Sequence, residues 1–215
     1  MELSPLSGIV LAGGASRRLG TDKALLRLWG DTGPTLLEAV VERLAALCDE
    51  VLVVADRPRP WPAMSARTVY DALPGSGVLG AIYTGLLACH TLHALVVACD
   101  MPFLNEPLLR YMASRPRDYD VLIPRLPADA QESAGNPERV EPLHAIYSRL
   151  CLEPMLRVLQ RGERRIVSFF PSVRVQYLEV EEWTRFDPEG LSFRNLNTRE
   201  DVAYARAVLS RKHTV

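Results

Sequence analysis

The sequence alternates short apolar runs with longer segments of helical spacing, and this alternation limits the fold more than any other feature. The apolar runs are bounded by Gly, Pro or Asp and cover residues 8–11, 51–55, 94–98, 121–123 and 173–180. Most have the composition of strands buried on both faces, as in a parallel sheet. Helical spacing recurs over residues 35–47, 78–89, 106–113, 152–160 and 198–209. The sequence therefore predicts an α/β fold, a three-layer αβα sandwich with a mostly parallel sheet.

Length and composition limit the number of domains and the partners. The chain has 215 residues, of which 48% are hydrophobic and 24% charged, so one folded domain over residues 1–215 is expected. A formal net charge of −1 gives no general attraction for long nucleic acids. The N-terminal segment has neither the basic start of a signal peptide nor an apolar run long enough to span a membrane. A cytoplasmic protein without membrane contact is the expectation.

Local sequence patterns predict a loop, a helix start and reduced cysteine thiols. Residues 126–140 are polar and rich in turn-forming residues, which predicts an exposed loop whose role stays open. Thr198 precedes Asp201 by three residues, which is typical of a helix N-terminus. The four cysteines are widely separated, so buried reduced thiols are expected instead of a zinc site or disulfides.

The first strand runs directly into Ala12, Gly13 and Gly14, followed by a basic stretch that contains Arg17 and Lys23. Adjacent glycines at the carboxyl end of a strand let backbone N–H groups converge on an anion, and open α/β sheets bind ligands at that edge. The basic side chains would neutralise a triphosphate. The spacing is not that of a P-loop. A glycine turn before a solvated basic stretch remains an alternative.

Two aspartates follow predicted strands. Asp100 ends the apolar run ALVVAC, and Asp71 follows a shorter strand at residues 68–70. Magnesium binds through one or two carboxylates together with phosphate oxygens, so Asp100 beside a triphosphate is a candidate Mg²⁺ ligand. In an arbitrary sequence, both residues would more commonly cap a turn.

A second glycine pattern competes with this interpretation. Gly75, Gly77 and Gly80 form GxGxxG, and Asp100 lies near the distance expected of the acidic residue that binds a dinucleotide ribose. An NAD-dependent oxidoreductase is therefore an alternative function. Against it, four residues separate the short preceding strand from the first glycine, whereas the fingerprint needs a tight turn directly after a buried strand.

Six segments together carry a family resemblance: LAGGASRRLGTDKALL, VYDALPGSGVLGAIYTGL, VVACDMPFL, EPLHAIY, QRGERRIVSFF and FRNLNTREDVAYA. In this order they resemble the molybdenum cofactor guanylyltransferase (MobA-like) family of nucleotidyltransferases over nearly the whole chain. The resemblance implies a Rossmann-like nucleotidyltransferase fold. It also implies transfer of GMP from GTP to the terminal phosphate of molybdopterin cofactor, with release of pyrophosphate. Transient contact with other proteins of cofactor biosynthesis, or with acceptor proteins, is a further expectation.

The same resemblance assigns roles to individual positions. It implies nucleotide binding by Leu11, Ala12, Gly13, Gly14, Lys23, Asp71 and Asp100. It implies that Asp100 holds Mg²⁺ and that Asn195 and Asn197 bind the pterin substrate. Those two amides could instead hold the start of the last helix through backbone hydrogen bonds. As a hypothesis about mechanism, Arg17, Lys23 and Asp100 are catalytic, with Arg17 and Lys23 stabilising the charge of the departing pyrophosphate. His144, within an apolar strand, is interpreted as structural.

One departure from the family pattern leaves the identity of the nucleotide base undecided. Some members place an asparagine that helps hold the nucleotide where this chain has Val54, and Asp56 lies nearby. A cytidylyltransferase, or another nucleotidyltransferase acting on a phosphate ester, is therefore the alternative within the class. A non-catalytic nucleotide-binding module is the alternative outside it.

Overall fold

The computed structural model describes residues 4–13, 22–127 and 139–212. Gly14, Arg17 and residues 128–138 of the predicted loop lie outside these ranges. None of the helices described is long and apolar enough to cross a membrane.

The described residues form a seven-stranded sheet with α-helices on both faces. In chain order the strands are β1 (Ser7–Leu11), β2 (Glu50–Ala55), β3 (Arg67–Tyr70), β4 (His93–Ala98), β5 (Val121–Pro124), β6 (His144–Ser148) and β7 (Val175–Leu178). The helices are α1 (Leu36–Ala45), α2 (Gly77–Ala88), α3 (Glu106–Ser114), α4 (Leu152–Gln160), α5 (Val180–Trp183) and α6 (Arg199–Lys212). The spatial order of the strands is β3-β2-β1-β4-β6-β5-β7. Among these strands β6 alone runs antiparallel to its neighbours β4 and β5.

The central strands are apolar on both faces because helices cover both sides. On one face, Val10 and Val53 pack with side chains of α1 and α3. On the other face, Ile9 and Leu52 pack with side chains of α2 and α4. This arrangement confirms the predicted α/β fold, a three-layer sandwich with a mostly parallel sheet.

Helix starts follow from local hydrogen bonds. Thr35 caps α1, and its hydroxyl and backbone N–H form a reciprocal capping box with Glu38. Thr198 and Asp201 make the same exchange at α6: the Asp201 N–H donates to Thr198 Oγ1 at 3.1 Å, and the Thr198 N–H donates to Asp201 Oδ2 at 2.9 Å. Ala205 then packs α6 against Leu28 and Phe103. The helix start predicted at Thr198 is confirmed.

The sheet differs from the sequence prediction at two places. The apolar run at residues 173–180 is not one strand, because β7 ends at Leu178 and α5 begins at Val180. The EPLHAIY segment supplies β6, which inserts between β4 and β5 in the reversed direction. Side-chain alternation is the same for either strand direction, so the apolar pattern alone does not give the orientation.

Candidate active site

A cavity of about 430 Å³ opens at the edge of the sheet where four parallel strands end. Its wall includes residues 11–13 after β1, 54–56 after β2, 71 after β3 and 98–100 after β4. Open α/β sheets bind ligands at the carboxyl ends of their strands, because successive loops diverge there and leave a crevice. The geometry therefore puts most of the sequence-predicted nucleotide residues around one space.

Lys23 is the central cation of this cavity among the described residues. It begins a 3₁₀ turn (Lys23–Leu25) that Asp22 caps by accepting a 3.1 Å hydrogen bond from the Ala24 N–H. Its Nζ donates to Asp100 Oδ2 at 2.8 Å and to Asn197 Oδ1 at 2.8 Å. The Lys23 and Asp100 side chains are 17% and 18% exposed, so water screens this ion pair only partly. Three predicted site residues, far apart in sequence, are thus joined by one ammonium group.

The backbone of Asp100 holds the segment with the C-terminal asparagines next to the end of β4. The carbonyl of Asp100 accepts a 3.0 Å hydrogen bond from the Leu196 N–H, which holds residues 195–197 beside the end of β4. Asn195 Oδ1 is buried and accepts no hydrogen bond from any residue in the described ranges. Thr198 and Asp201 hold the start of α6, so the asparagine side chains are not needed there. This geometry argues against the helix-capping interpretation; Asn197 contacts Lys23 of the cavity wall, whereas neither asparagine lines the cavity itself.

Asp71 lies at the opposite end of the cavity wall, after the edge strand β3. Its Oδ1 accepts hydrogen bonds from the Leu73 N–H at 3.0 Å and from the Thr84 hydroxyl at 3.1 Å. It therefore does cap a turn, as the alternative interpretation held, and it also lines the cavity.

The loop between Asp71 and α2 lines the cavity through its glycines. Gly75 and Gly77 have positive φ angles of 82° and 66°, and a Cβ at either position would meet no atom within 4 Å. Open space on the cavity side lets a ligand approach this backbone closely. In the sequence these glycines form a dinucleotide-binding pattern, and they were not predicted as part of this site.

The sheet order argues against a dinucleotide site. In that fingerprint the strand before the glycines and the strand bearing the acidic residue belong to one βαβ unit and lie side by side. Here the glycines follow β3 and Asp100 follows β4, and two strands, β2 and β1, separate them. Gly80 packs inward, because a Cβ there would lie 2.5 Å from the Ser76 Cβ.

Arg59 supports the site from behind the cavity wall, and no pattern in the sequence pointed to it. Its Nη1 donates to Asp22 Oδ2 at 2.8 Å, and its Nη2 donates to Asp56 Oδ1 at 2.7 Å. The Arg59 side chain is 11% exposed and lies 5.9 Å from the centre of the Trp61 ring. Hydrogen bonding to Arg59 lowers the pKa of Asp56, and the same bond raises the pKa of Arg59. The guanidinium ties the end of β2 to the turn that carries Lys23.

Glu141 is a second missed residue, just before β6. Its Oε1 accepts a 3.0 Å hydrogen bond from the N–H of Leu143, a residue of the cavity wall. Burial raises the pKa of Glu141 to about 7, and the negative charge of Asp100 adds to the rise. The charge of Glu141 is therefore coupled electrostatically to that of Asp100.

His144 follows on β6, where it is fully buried and packs edge to face against Phe193 with ring centres 5.1 Å apart. Its two ring nitrogens make no hydrogen bond to residues of the described ranges, and burial lowers its pKa to about 4. Since His144 does not line the cavity, its neutral buried ring fits the structural interpretation.

The donor set at Asp100 fits magnesium better than zinc. In the described part of the chain, no three His, Cys, Asp or Glu side chains lie together as a metal cage. Magnesium does not require one, since it retains water and binds one or two carboxylates plus phosphate oxygens.

The four cysteines, all within the described ranges, form no disulfide; Cys89 and Cys151 are buried, and Cys48 and Cys99 are partly exposed.

Comparison with known proteins gives the family. Residues 8–177 match the MobA-like NTP transferase domain. The chain belongs to the MobA-like NTP transferase family. A probable molybdenum cofactor guanylyltransferase from Chloroflexus aggregans is 44% identical over 204 residues, covering 95% of each chain. A molybdenum cofactor guanylyltransferase from Desulfosudis oleivorans is 31% identical and covers 96% of this chain and 97% of its own.

The fold of this MobA-like chain also matches the solved structure of a protein of molybdopterin-guanine dinucleotide biosynthesis. Molybdopterin-guanine dinucleotide biosynthesis protein A from Archaeoglobus fulgidus superposes with a TM-score of 0.77 at 27% identity. The match covers 95% of this chain and 99% of the other. The chain is thus a nucleotidyltransferase by family, and the cavity at the carboxyl edge of its sheet is the candidate active site.

Proposed function

We propose that the protein transfers GMP from GTP to the terminal phosphate of molybdopterin cofactor and releases pyrophosphate. The observation that carries this proposal is the contact of Lys23 with both Asp100 and Asn197. One ammonium group touches the candidate metal ligand and the candidate acceptor site, so the two substrates can meet there. The names of the relatives supply the two substrates. The proposal implies a cytoplasmic enzyme acting on small molecules.

The residues divide the reaction between them. The backbone at residues 11–13 and the loop with Gly75 and Gly77 form the wall for the nucleotide. Lys23 supplies positive charge for the phosphates, and Asn195 and Asn197 present amides to the acceptor. We propose the same charge-neutralising role for Arg17, which lies outside the described ranges. These groups position the substrates and neutralise the charge of the phosphates, which is most of what a phosphoryl-type transfer requires of a protein.

Asp100 is the residue that would hold magnesium. The ion would supply charge neutralisation on the triphosphate oxygens. An oxygen of the acceptor's terminal phosphate forms a new bond to the α-phosphorus, and the bond from that phosphorus to the bridging oxygen breaks. The bridging oxygen leaves with pyrophosphate and keeps the electron pair. Because the attacking phosphate is already ionised at neutral pH, no side chain has to remove a proton.

The direct test is pyrophosphate release from GTP, CTP, ATP and UTP, each with and without molybdopterin. We expect release from GTP when the acceptor is present. Lys23→Ala should lower kcat/KM by about tenfold to hundredfold, because a hydrogen bond to a charged group contributes about 1.5–3 kcal/mol. Lys212→Ala, at the end of α6, is the matched lysine control and should leave kcat/KM unchanged.

Other outcomes identify the alternatives. Faster release from CTP would make the protein a cytidylyltransferase. Tight nucleotide binding without release under any condition would make it a nucleotide-binding module. Equal effects of the two lysine substitutions would remove Lys23 from the site.

A further inference from the structure

The cavity wall carries further acidic side chains on the β2 and β3 side of Lys23 and Asp100. Asp71 follows β3 and Asp56 follows β2, whereas Asp100 follows β4 on the far side of β1. With strands about 4.8 Å apart, the end of β3 lies roughly 14 Å from the end of β4. If the phosphates lie at Lys23, the nucleoside extends toward β2 and β3. Two carboxylates in that region repel phosphates, so their chemistry suits another part of the nucleotide.

A carboxylate accepts hydrogen bonds and donates none when it is ionised. Guanine carries two adjacent donors on its pairing edge, the ring N1–H and the exocyclic N2 amine. Adenine and cytosine each present one donor group there, beside an unprotonated ring nitrogen that repels a carboxylate. An ionised carboxylate at the base therefore distinguishes guanine from the other common bases by charge and by hydrogen-bond number.

Asp56 meets these requirements better than its neighbours. Val54, at the position of the family's asparagine, is 1% exposed and has no polar side-chain atom. Each of the two carboxylates has one engaged oxygen, since Asp71 Oδ1 accepts from the Leu73 N–H and the Thr84 hydroxyl and Asp56 Oδ1 accepts from Arg59, but Asp71 is only partly exposed. Asp56 is 45% exposed at the cavity wall, and Arg59 lowers its pKa and thus keeps it ionised.

Arg59 also restricts where the Asp56 carboxylate can go. The guanidinium is mostly buried and holds Asp56 Oδ1 through one nitrogen and Asp22 Oδ2 through another. A planar guanidinium fixed at two points orients its partner, whereas a lysine ammonium acts as a point charge. Asp56 is therefore oriented by a residue that does not itself line the cavity.

We infer that Asp56 is the specificity-determining residue for guanine and that Arg59 is its positioning residue. This inference rests on the proposed function, because it requires the nucleotide to bind with its phosphates at Lys23. It goes further by assigning base selection to a carboxylate at the end of β2.

The test compares GTP with ITP, whose base is hypoxanthine and lacks the N2 amine but is otherwise the same as guanine. Equilibrium binding to the full-length protein is measured by calorimetry with magnesium and without molybdopterin. Wild-type protein should bind GTP about tenfold to hundredfold more tightly than ITP, because this is the change in affinity that one hydrogen bond to a charged group contributes. Asp56→Asn should reduce this ratio to about threefold or less, because the amide presents a donor as well as an acceptor.

Three further variants separate base selection from general damage. Asp71→Asn, the same change at the neighbouring carboxylate, should weaken GTP and ITP binding by one common factor and keep their ratio. Arg59→Met should lower the ratio, and Arg59→Lys should restore it only in part. Asp118→Asn, at an exposed residue that does not line the cavity, should change neither affinity nor ratio.

Each result decides the inference. A wild-type ratio near one, or a ratio unchanged in Asp56→Asn, overturns it while leaving the proposed function intact. Collapse of the ratio in Asp71→Asn alone moves base selection to that residue and likewise overturns it. Failure of the wild-type protein to bind any nucleoside triphosphate overturns the inference and the proposed function together.

Discussion

Asp100→Asn tests whether Asp100 acts in catalysis or only stabilises the fold. The carboxylate accepts a 2.8 Å hydrogen bond from Lys23 Nζ, and both side chains are less than one-fifth exposed. Exposed ion pairs contribute up to about 1 kcal/mol, and hydrogen bonds to charged groups about 1.5–3 kcal/mol. Because the amide oxygen can still accept from Lys23, we expect a loss of about 1 kcal/mol. In a chain of 215 residues this lowers Tm by about 2–4 °C.

The expected effect of Asp100→Asn on turnover is much larger. A bound magnesium ion contributes several kcal/mol of charge stabilisation in the transition state, and the amide removes the charge that holds it. A loss of about 2.7 kcal/mol corresponds to a hundredfold change in rate. Pyrophosphate release at limiting magnesium should therefore fall by at least about a hundredfold, whereas thermal unfolding changes little.

Asp120→Asn is the matched control for Asp100→Asn. Asp120 also lies beside a strand and pairs with a cation, the Arg174 guanidinium at 3.3 Å, but it does not line the cavity. It accepts a further 2.8 Å hydrogen bond from the Arg174 N–H, so its loss should lower Tm at least as much. Its kcat/KM should stay within twofold of wild type. Near-normal release by Asp100→Asn at limiting magnesium would refute the assignment of the metal ligand.

Two further predictions concern buried groups with shifted pKa values. Burial lowers the pKa of His144 to about 4, below its unfolded value near 6.5, so the stability contributed by the neutral ring is lost as pH falls through that window. Between pH 7 and pH 4, His144→Leu should therefore lose less stability than the wild type, by up to about 3 kcal/mol, which is measured as a smaller fall in Tm. Parallel curves of Tm against pH for the two proteins would contradict this. Burial raises the pKa of Glu141 to about 7, above the unfolded value, so the wild-type protein loses stability as pH rises from about 4.5 to 7. Glu141→Gln should therefore be more stable than wild type in denaturant unfolding at pH 8 and similar to it at pH 4.5; no gain at pH 8 would show that burial does not disfavour the ionised carboxylate.

The parallel part of the sheet could be predicted from sequence because its strands carry a direct physical signature. β1, β2 and β4 are apolar on both faces, and each is followed within two residues by a glycine or an aspartate. Since the carboxyl ends of parallel strands meet at one edge, the same pattern placed Asp71 and Asp100 along one cavity. The direction of β6 was not predictable in this way, because it depends on which neighbours the strand meets after the chain folds.

The parts of the site that were missed depend on tertiary contacts. Arg59 lies in the stretch RPRPWP, which has no local periodicity, and its position is set by carboxylates from two distant segments. Glu141 is a single glutamate before a strand, and only its burial beside Asp100 distinguishes it from a surface residue. Gly75 and Gly77 were visible as a pattern, but their ligand could not be inferred without knowing that β3 and β4 are separated in the sheet.

The reversed strand β6 has a consequence for how this architecture can diversify. A parallel strand has its carboxyl end at the cavity edge, whereas an antiparallel strand has its amino end there, and here Leu143, the residue just before β6, lines the cavity. Leu143 therefore reaches the cavity independently of the ends of the parallel strands β1 to β4. Substitutions in the segment before β6 change one side of the cavity and leave the ends of the four parallel strands in place.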